Sequence, residues 1–210
     1  MSLNVILTVS LLVLGYFMLA ELIVITLWGL AKVKKQALAK GLVITAFVAA
    51  LPVYFCLFQL LGLMVNFTPS LPVGIYRQAN SQEIRCGDIV SYCLDVPGYV
   101  ALAKERGYLG AGTCDSGLKP LLKHVAGLPG DVVGKTADGQ LTVNQMLLAG
   151  VYIASADSEN RAMPESILLP GIISEGKTLL VSYHLGGFDG RYFGLVNIDK
   201  LKKYKPLITF

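Results

Sequence analysis

The chain has 210 residues, 54% of them apolar and only 15% charged, with a mean hydropathy of +0.60. Soluble chains carry about 25% charged residues, so the composition argues against a wholly water-soluble or disordered protein. The net charge of +4 is local. Lys32, Lys34, Lys35 and Lys40 lie in one short segment, and setting these and Glu21 aside from 18 basic and 14 acidic residues leaves 14 and 13. A basic face for nucleic acid thus loses its support, and no nucleic-acid partner is expected.

From Leu3 to Ala31 the only formal charge is Glu21, and from Gly41 to Val65 there is none. Each run is long enough to cross a hydrocarbon core of roughly 30 Å as a helix. Two transmembrane helices are therefore predicted, within residues 1–31 and 41–65, joined by a basic loop at 32–40. The first run lacks a basic amino-terminal region and a small-residue cleavage site, and exceeds a signal peptide's apolar length, so it is expected to be retained. Short Lys-rich loops stay cytoplasmic, which puts both termini and everything after Val65 on the other side of the bilayer. Glu21 is either a functional intramembrane carboxylate or a residue near a helix end that reaches the headgroups.

Residues 66–210 have domain size, with no repeats and no long linker, and form one exported domain. Short β-rich runs, Gly74 to Arg77, Asp88 to Cys93, Leu121 to Val125, Asp131 to Val133, Leu141 to Val143 and Thr178 to Tyr183, are separated by Pro, Gly and Asp clusters. Asp138-Gly139 before the alternating Leu141 and Val143 is a hairpin signal, and Ser158 to Leu168 is assigned a helical turn. The expected fold is mainly β, a barrel or sandwich whose loops carry function.

Cys56 falls in the second apolar run and reads as a packing residue. Cys86, Cys93 and Cys114 lie on the exported side, where disulfides form. Three cysteines make at most one internal bond, and their spacing does not choose the pair. No Cys-x-x-Cys and no nearby His pair supports a metal site.

Ser70 lies between two prolines in Thr68-Pro69-Ser70-Leu71-Pro72, five residues past Val65. Extended chain spans about 3.4 Å per residue, so Ser70 is expected within roughly 17 Å of the end of that run. The flanking prolines restrict the backbone and would hold the hydroxyl in place; the plainer reading is a rigid junction. In Leu121-Leu122-Lys123-His124-Val125 a strand would put Lys123 on the apolar face of Leu121 and Val125. Desolvation there lowers a lysine's pKa and turns it into a general base able to activate a serine; the plainer reading is a lysine snorkelling from an edge. A Ser-His-Asp set using His124 or His184 stays open, though nothing in the spacing selects it. Asp189 and Arg191 could form a local ion pair that shapes a loop.

Together these segments resemble the signal peptidase I family of membrane-bound Ser/Lys endopeptidases. Thr68 to Pro72 is similar to its nucleophile box, Lys123 to Asp131 to its general-base box, and Asp189 to Gly194 to its Asp-x-Arg box. Within the family the likeness is to the TraF-type conjugative transfer peptidases, through Thr68 to Arg77, Cys93, Arg106-Gly107-Tyr108, Cys114 and Phe188 to Gly194. The resemblance implies a signal-peptidase-like catalytic domain with Ser70 as nucleophile and Lys123 as base. It further implies an oxyanion hole from the Ser70 amide and the Thr68 hydroxyl, structural roles for Asp189 and Arg191, and a Cys93–Cys114 disulfide. It implies no metal or organic cofactor. The serine that commonly stands two residues before the aspartate is Gly187 here, leaving Ser182 as a candidate substitute for orienting Lys123.

The implied protein is a multi-pass enzyme of the bacterial inner membrane with its catalytic domain in the periplasm. It would cleave membrane-tethered pilin precursors of a conjugative transfer (type IV secretion) system, with cyclisation of the product as a further outcome. Its partners would be the precursor, the bilayer and proteins of the conjugation apparatus. The rival readings are a general secretory signal peptidase and a non-catalytic membrane scaffold.

Overall fold

A computed structural model describes residues 18–24, 35–81 and 83–210. The chain divides into two compact units, Met1–Leu63 and Met64–Phe210.

In the first unit, helix α1 (Lys35–Leu60) contains the stretch Lys40–Phe58, with mean hydropathy 2.3, long and apolar enough to cross a membrane. Apolar residues run all round it, as expected of a helix without a polar face to turn to water. The Thr45 hydroxyl donates back to the Gly41 carbonyl at 2.9 Å, which satisfies it within the helix. Among the described residues this is the one helix that meets the length requirement. Of the expected first span, residues 18–24 are helical with Glu21 exposed, and the rest of 1–31 lies outside the described residues.

Helix α1 ends earlier than the apolar run to Val65 suggests. Gly62 takes a left-handed φ of 63° that stops the helix, and Leu63–Asn66 forms strand β1 instead. A short apolar run does not distinguish strand from helix by hydrophobicity alone. Lys35 to Lys40, expected in the basic loop at 32–40, already belong to α1, and residues 32–34 lie outside the described residues.

The second unit is built on a seven-stranded sheet and a four-stranded sheet. The strands of the larger are β1, β2 (Gly74–Gln78), β3 (Ile89–Tyr92), β4 (Leu121–Gly127), β9 (Lys177–Val181), β10 (Val196–Asn197) and β11 (Lys202–Thr209). Their order is β1-β2-β11-β3-β4-β9-β10. The smaller sheet runs β7 (Met146–Tyr152), β6 (Gln140–Val143), β5 (Val132–Lys135), β8 (Gly171–Ile172). Mainly β is thus correct, and each expected strand appears with shifted ends.

Alternation on β9 distributes side chains to two cores: Leu180 packs with Val90, Tyr92, Leu121 and Val125, while Leu179 and Val181 pack with Val133, Leu141 and Val143 of the smaller sheet. A third cluster, Leu71, Tyr76, Leu122 and Tyr204, packs Leu71, the residue after Ser70, onto the larger sheet. Each such fully buried apolar side chain is worth about 1.5–3 kcal/mol.

Three elements depart from expectation. Ser158 to Leu168 forms no helix: Asp157 Oδ1 accepts from the amides of Glu159 and Arg161 at 3.0 and 2.9 Å, and Asn160 sits at φ 59°. Side-chain-to-backbone bonding of this kind competes with helix formation. Helix α2 (Pro97–Glu105) was not anticipated, although proline in its first turn is a start signal. Strand β11 went unread because Lys202, Lys203, Lys205 and Pro206 hide it, yet it lies between β2 and β3. Its register shifts between Pro206 and Ile208, an irregularity where a strand tolerates proline.

Cys93 and Cys114 are bonded, with Cα atoms 5.5 Å apart, and tie the residue after β3 to the loop before β4. Cys86 is free and exposed.

Candidate active site

Ser70 is carried by a turn between β1 and β2 that several groups pin in place. Asn66, the buried last residue of β1, donates from Nδ2 to the carbonyls of Thr68 and Leu71 at 2.9 Å and of Pro72 at 3.2 Å. Its Oδ1 accepts from the Thr68 amide at 3.2 Å and the Thr68 hydroxyl at 2.7 Å. The Tyr76 hydroxyl donates to the Pro72 carbonyl at 2.6 Å, and Leu71 is buried beside it. Ser70 itself is half-buried, with its Oγ 2.8 Å from Thr68 Oγ1. Since the single Thr68 proton goes to Asn66, the Ser70 hydroxyl is the donor of that pair.

Lys123 is central in β4, opposite Val90 of β3, and is 3% exposed. Its flanking partners Leu121 and Val125 belong to the main core. Burial lowers its pKa from 10.5 to about 8; the Asp189 carboxylate partly offsets this and the Arg191 guanidinium adds to it. An amine so placed is neutral in a useful fraction near pH 8 and can accept a proton. Ser70 is not directly hydrogen-bonded to Lys123 among the described residues. The cavity that Ser70 lines takes in His124 and Tyr183 rather than Lys123, so among the described residues the Ser70 and Lys123 side chains are not seen in contact.

His124 faces the other way. Its ring packs against Tyr183 at 5.2 Å, its Nδ1 lies 3.4 Å from the Gly87 carbonyl, and burial lowers its pKa. His124 and Tyr183 line a cavity of about 450 Å³ together with Ser70 and the residues from Pro69 to Val73. His184 is exposed and bonded locally, its Nδ1 accepting from the Gly186 amide at 3.2 Å. Neither histidine is bonded to an aspartate, so no Ser-His-Asp arrangement is assembled among the described residues. No cluster of metal-ligating side chains is present among them either.

Asp189 caps helix α3 (Gly190–Phe193) and pairs with Arg191; both are fully buried. Arg191 Nε and Nη2 reach the two carboxylate oxygens at 2.8 and 3.0 Å, while Nη1 donates to the carbonyls of Tyr152 and Leu185 and Nη2 to that of Ser182. All five guanidinium hydrogens are thereby used. The Ser182 amide donates to Asp189 Oδ2 at 2.7 Å. A Cβ at Gly187 would lie 2.8 Å from Asp189 Oδ2, 2.9 Å from Arg191 Nη2 and 2.9 Å from Ser182 Oγ. The space for a serine at 187 is already filled.

Residues 35–204 match the family described as signal peptidase, peptidase S26. The chain belongs to this signal peptidase family. It is 36% identical over 151 residues to plasmid transfer protein TraF of Escherichia coli, covering 71% of this chain and 84% of that protein. Conjugal transfer protein TraF of Agrobacterium tumefaciens (strain 15955) is 32% identical over 154 residues, at 71% and 84% coverage. A solved signal peptidase I from Enterococcus faecalis V583 is 20% identical and covers 60% of this chain and 97% of its own, with a TM-score of 0.31. That superposition is too loose to carry a fold comparison.

Sequence reading missed Asn66 and Tyr183. An Asn-x-Thr spacing just before the Pro-Ser-Leu-Pro turn was the available signal for Asn66, since asparagine side chains commonly bond backbone two residues on. Tyr183 becomes a cavity residue only through the pairing of β4 with β9, which no local pattern announces.

Proposed function

We propose that this S26 family member is a membrane-anchored serine endopeptidase that matures pilin precursors for conjugative transfer. The observation that carries the reading is Lys123: a lysine 3% exposed within a β-sheet core, with its pKa lowered to about 8, in the position where the family resemblance puts the general base.

Ser70 Oγ attacks the scissile carbonyl while Lys123 takes its proton, and the new Ser70 Oγ–C bond gives a tetrahedral oxyanion. The Ser70 amide and the Thr68 hydroxyl donate to that oxygen; one such donor is typically worth about 3 kcal/mol. Collapse breaks the C–N bond, Lys123 returns the proton to the leaving amine, and water resolves the acyl enzyme. If the pilin's own amino terminus resolves it instead, the product is a circle. Ser182, whose Oγ occupies the space beside Gly187, orients Lys123. No cofactor takes part.

Support for a membrane-tethered substrate comes from the apolar helix α1, from which only a turn, β1 and a short loop separate Ser70. At the extended limit that tether is roughly 34 Å, longer than the reach expected from a span ending at Val65. The catalytic unit is assigned to the periplasm and both termini with it. A small side chain before the cut is expected from the family. The function in conjugation rests on the TraF relatives.

The test is intact-mass analysis of a candidate pilin precursor incubated with purified protein or its Ser70→Ala variant. Cleavage by the first alone supports the reading, and a linear product is heavier than a cyclic one by one water. Normal pilin maturation in cells lacking this protein, with ordinary secretory precursors left uncut, would favour the general signal peptidase. Processing that survives Ser70→Ala and Lys123→Ala would favour the scaffold.

A further inference from the structure

We infer that Asn66 is a positioning residue for the reaction: its carboxamide shapes the Ser70 turn and holds the Thr68 hydroxyl as a resting relay until the oxyanion forms. The inference rests on the proposed role of Ser70.

The carboxamide is saturated. Nδ2 faces three carbonyls, of Thr68, Leu71 and Pro72, and Oδ1 faces two donors of Thr68. The orientation is fixed by this surround, because a flipped amide would bring its oxygen against three carbonyl oxygens. Asn66 therefore closes the turn from both ends, binding residue 68 before Ser70 and residues 71 and 72 after it. Among the described residues no other side chain hydrogen-bonds both flanks; Tyr76 reaches only Pro72.

The second consequence concerns protons. At rest the order is Ser70 Oγ–H to Thr68 Oγ1–H to Asn66 Oδ1. When Ser70 transfers its proton to Lys123 and bonds to carbon, Thr68 loses the donor it accepted. Its own hydrogen can then turn from Asn66 to the oxyanion. Asn66 Oδ1 keeps the Thr68 amide bond at 3.2 Å, so releasing the hydroxyl leaves no buried acceptor unpaired. A carboxamide at 66 thus holds the donor at rest and gives it up at little cost.

The experiment measures kcat and KM for precursor cleavage by the full-length, detergent-solubilised protein, with thermal unfolding in parallel. Variants are Ser70→Ala, Asn66→Ala, Asn66→Asp, Thr68→Ser, Thr68→Val and the Asn66→Ala/Thr68→Val double. Asn66→Ala should lower kcat by about 10²-fold with KM little changed, the effect of misplacing a reacting group. Asn66→Asp should lose as much, because it keeps both acceptor bonds but turns the donor into an oxygen. Thr68→Ser should remain active, and the double variant should be no worse than its poorer parent. Full kcat in Asn66→Asp, or a double variant whose loss is the product of the single losses, overturns the inference, even if Asn66→Ala does not fold. Cleavage retained by Ser70→Ala would overturn the nucleophile assignment itself. An inactive Ser70→Ala beside a fully active Asn66→Ala overturns the Asn66 inference alone.

Discussion

The Ser182 hydroxyl lies 2.9 Å from the point where a side chain at Gly187 would begin. A side chain at 187 would compete with the Ser182 hydroxyl for one space beside the Asp189–Arg191 pair. Gly187→Ala should cost about 1–3 kcal/mol by overpacking, seen as a lower melting temperature. Adding Ser182→Gly should recover part of it. Ser182→Ala alone should lower kcat more than it raises KM and shift the alkaline rise of the rate profile. An unchanged profile would leave Ser182 a packing residue.

Burial of Lys123 sets a pH dependence of both activity and stability. Activity should rise with pH through about 8, as the amine loses its proton. For stability, the unfolded lysine keeps its proton to about 10.5 and the folded one only to about 8. Between those values the unfolded state binds more protons, so this residue's penalty is full below pH 8 and is relieved as pH rises toward 10.5. The penalty is about 3 kcal/mol. Lys123→Met should therefore be inactive yet melt higher than the parent at pH 7, with the advantage shrinking above pH 8. A parent whose stability falls steadily from pH 8 to 10 would contradict this.

Arg191 anchors five acceptors at full burial, so removing it leaves Asp189 as an unpaired buried charge. Arg191→Leu should cost about 3–5 kcal/mol, read as loss of accumulated protein or of cooperative unfolding. Asp189→Asn/Arg191→Leu together should cost less than the sum, because the second change removes the stranded charge.

The Cys93–Cys114 bond closes a loop of 21 residues. In the loop-entropy model that stabilises by roughly 3 kcal/mol. Reductant, or Cys93→Ala/Cys114→Ala, should lower the melting temperature, whereas alkylation without reductant should label Cys86 and neither of the pair. Labelling of both Cys93 and Cys114 under those conditions would contradict the link.

The parts of the candidate site that are legible in the sequence are the local ones. Ser70 and Thr68 sit in one turn, Lys123 declares its apolar surroundings by strand alternation, and Asp189 and Arg191 are two residues apart. What stayed hidden depends on long-range pairing. Val181 of β9 is placed opposite His124 by the β4–β9 register, which brings Tyr183 to the cavity without any signal in its own neighbours. In the fold, β11 was concealed by lysines and Pro206, and the end of α1 by three apolar residues that turned out to be strand. A helical turn is expected within Ser158 to Leu168, but the Asp157 carboxylate collects the amides of Glu159 and Arg161 first.

The central claim is that Ser70 and Lys123 act as one unit on a precursor. It is tested most directly by cleavage kinetics of a purified pilin precursor with the parent, Ser70→Ala, Lys123→Ala and the double variant. The account predicts that each single change removes nearly all cleavage and that the double is no worse than either, because the two groups share one proton transfer. Cleavage retained in Lys123→Ala but lost in His124→Ala or His184→Ala would contradict it and move the base to a histidine.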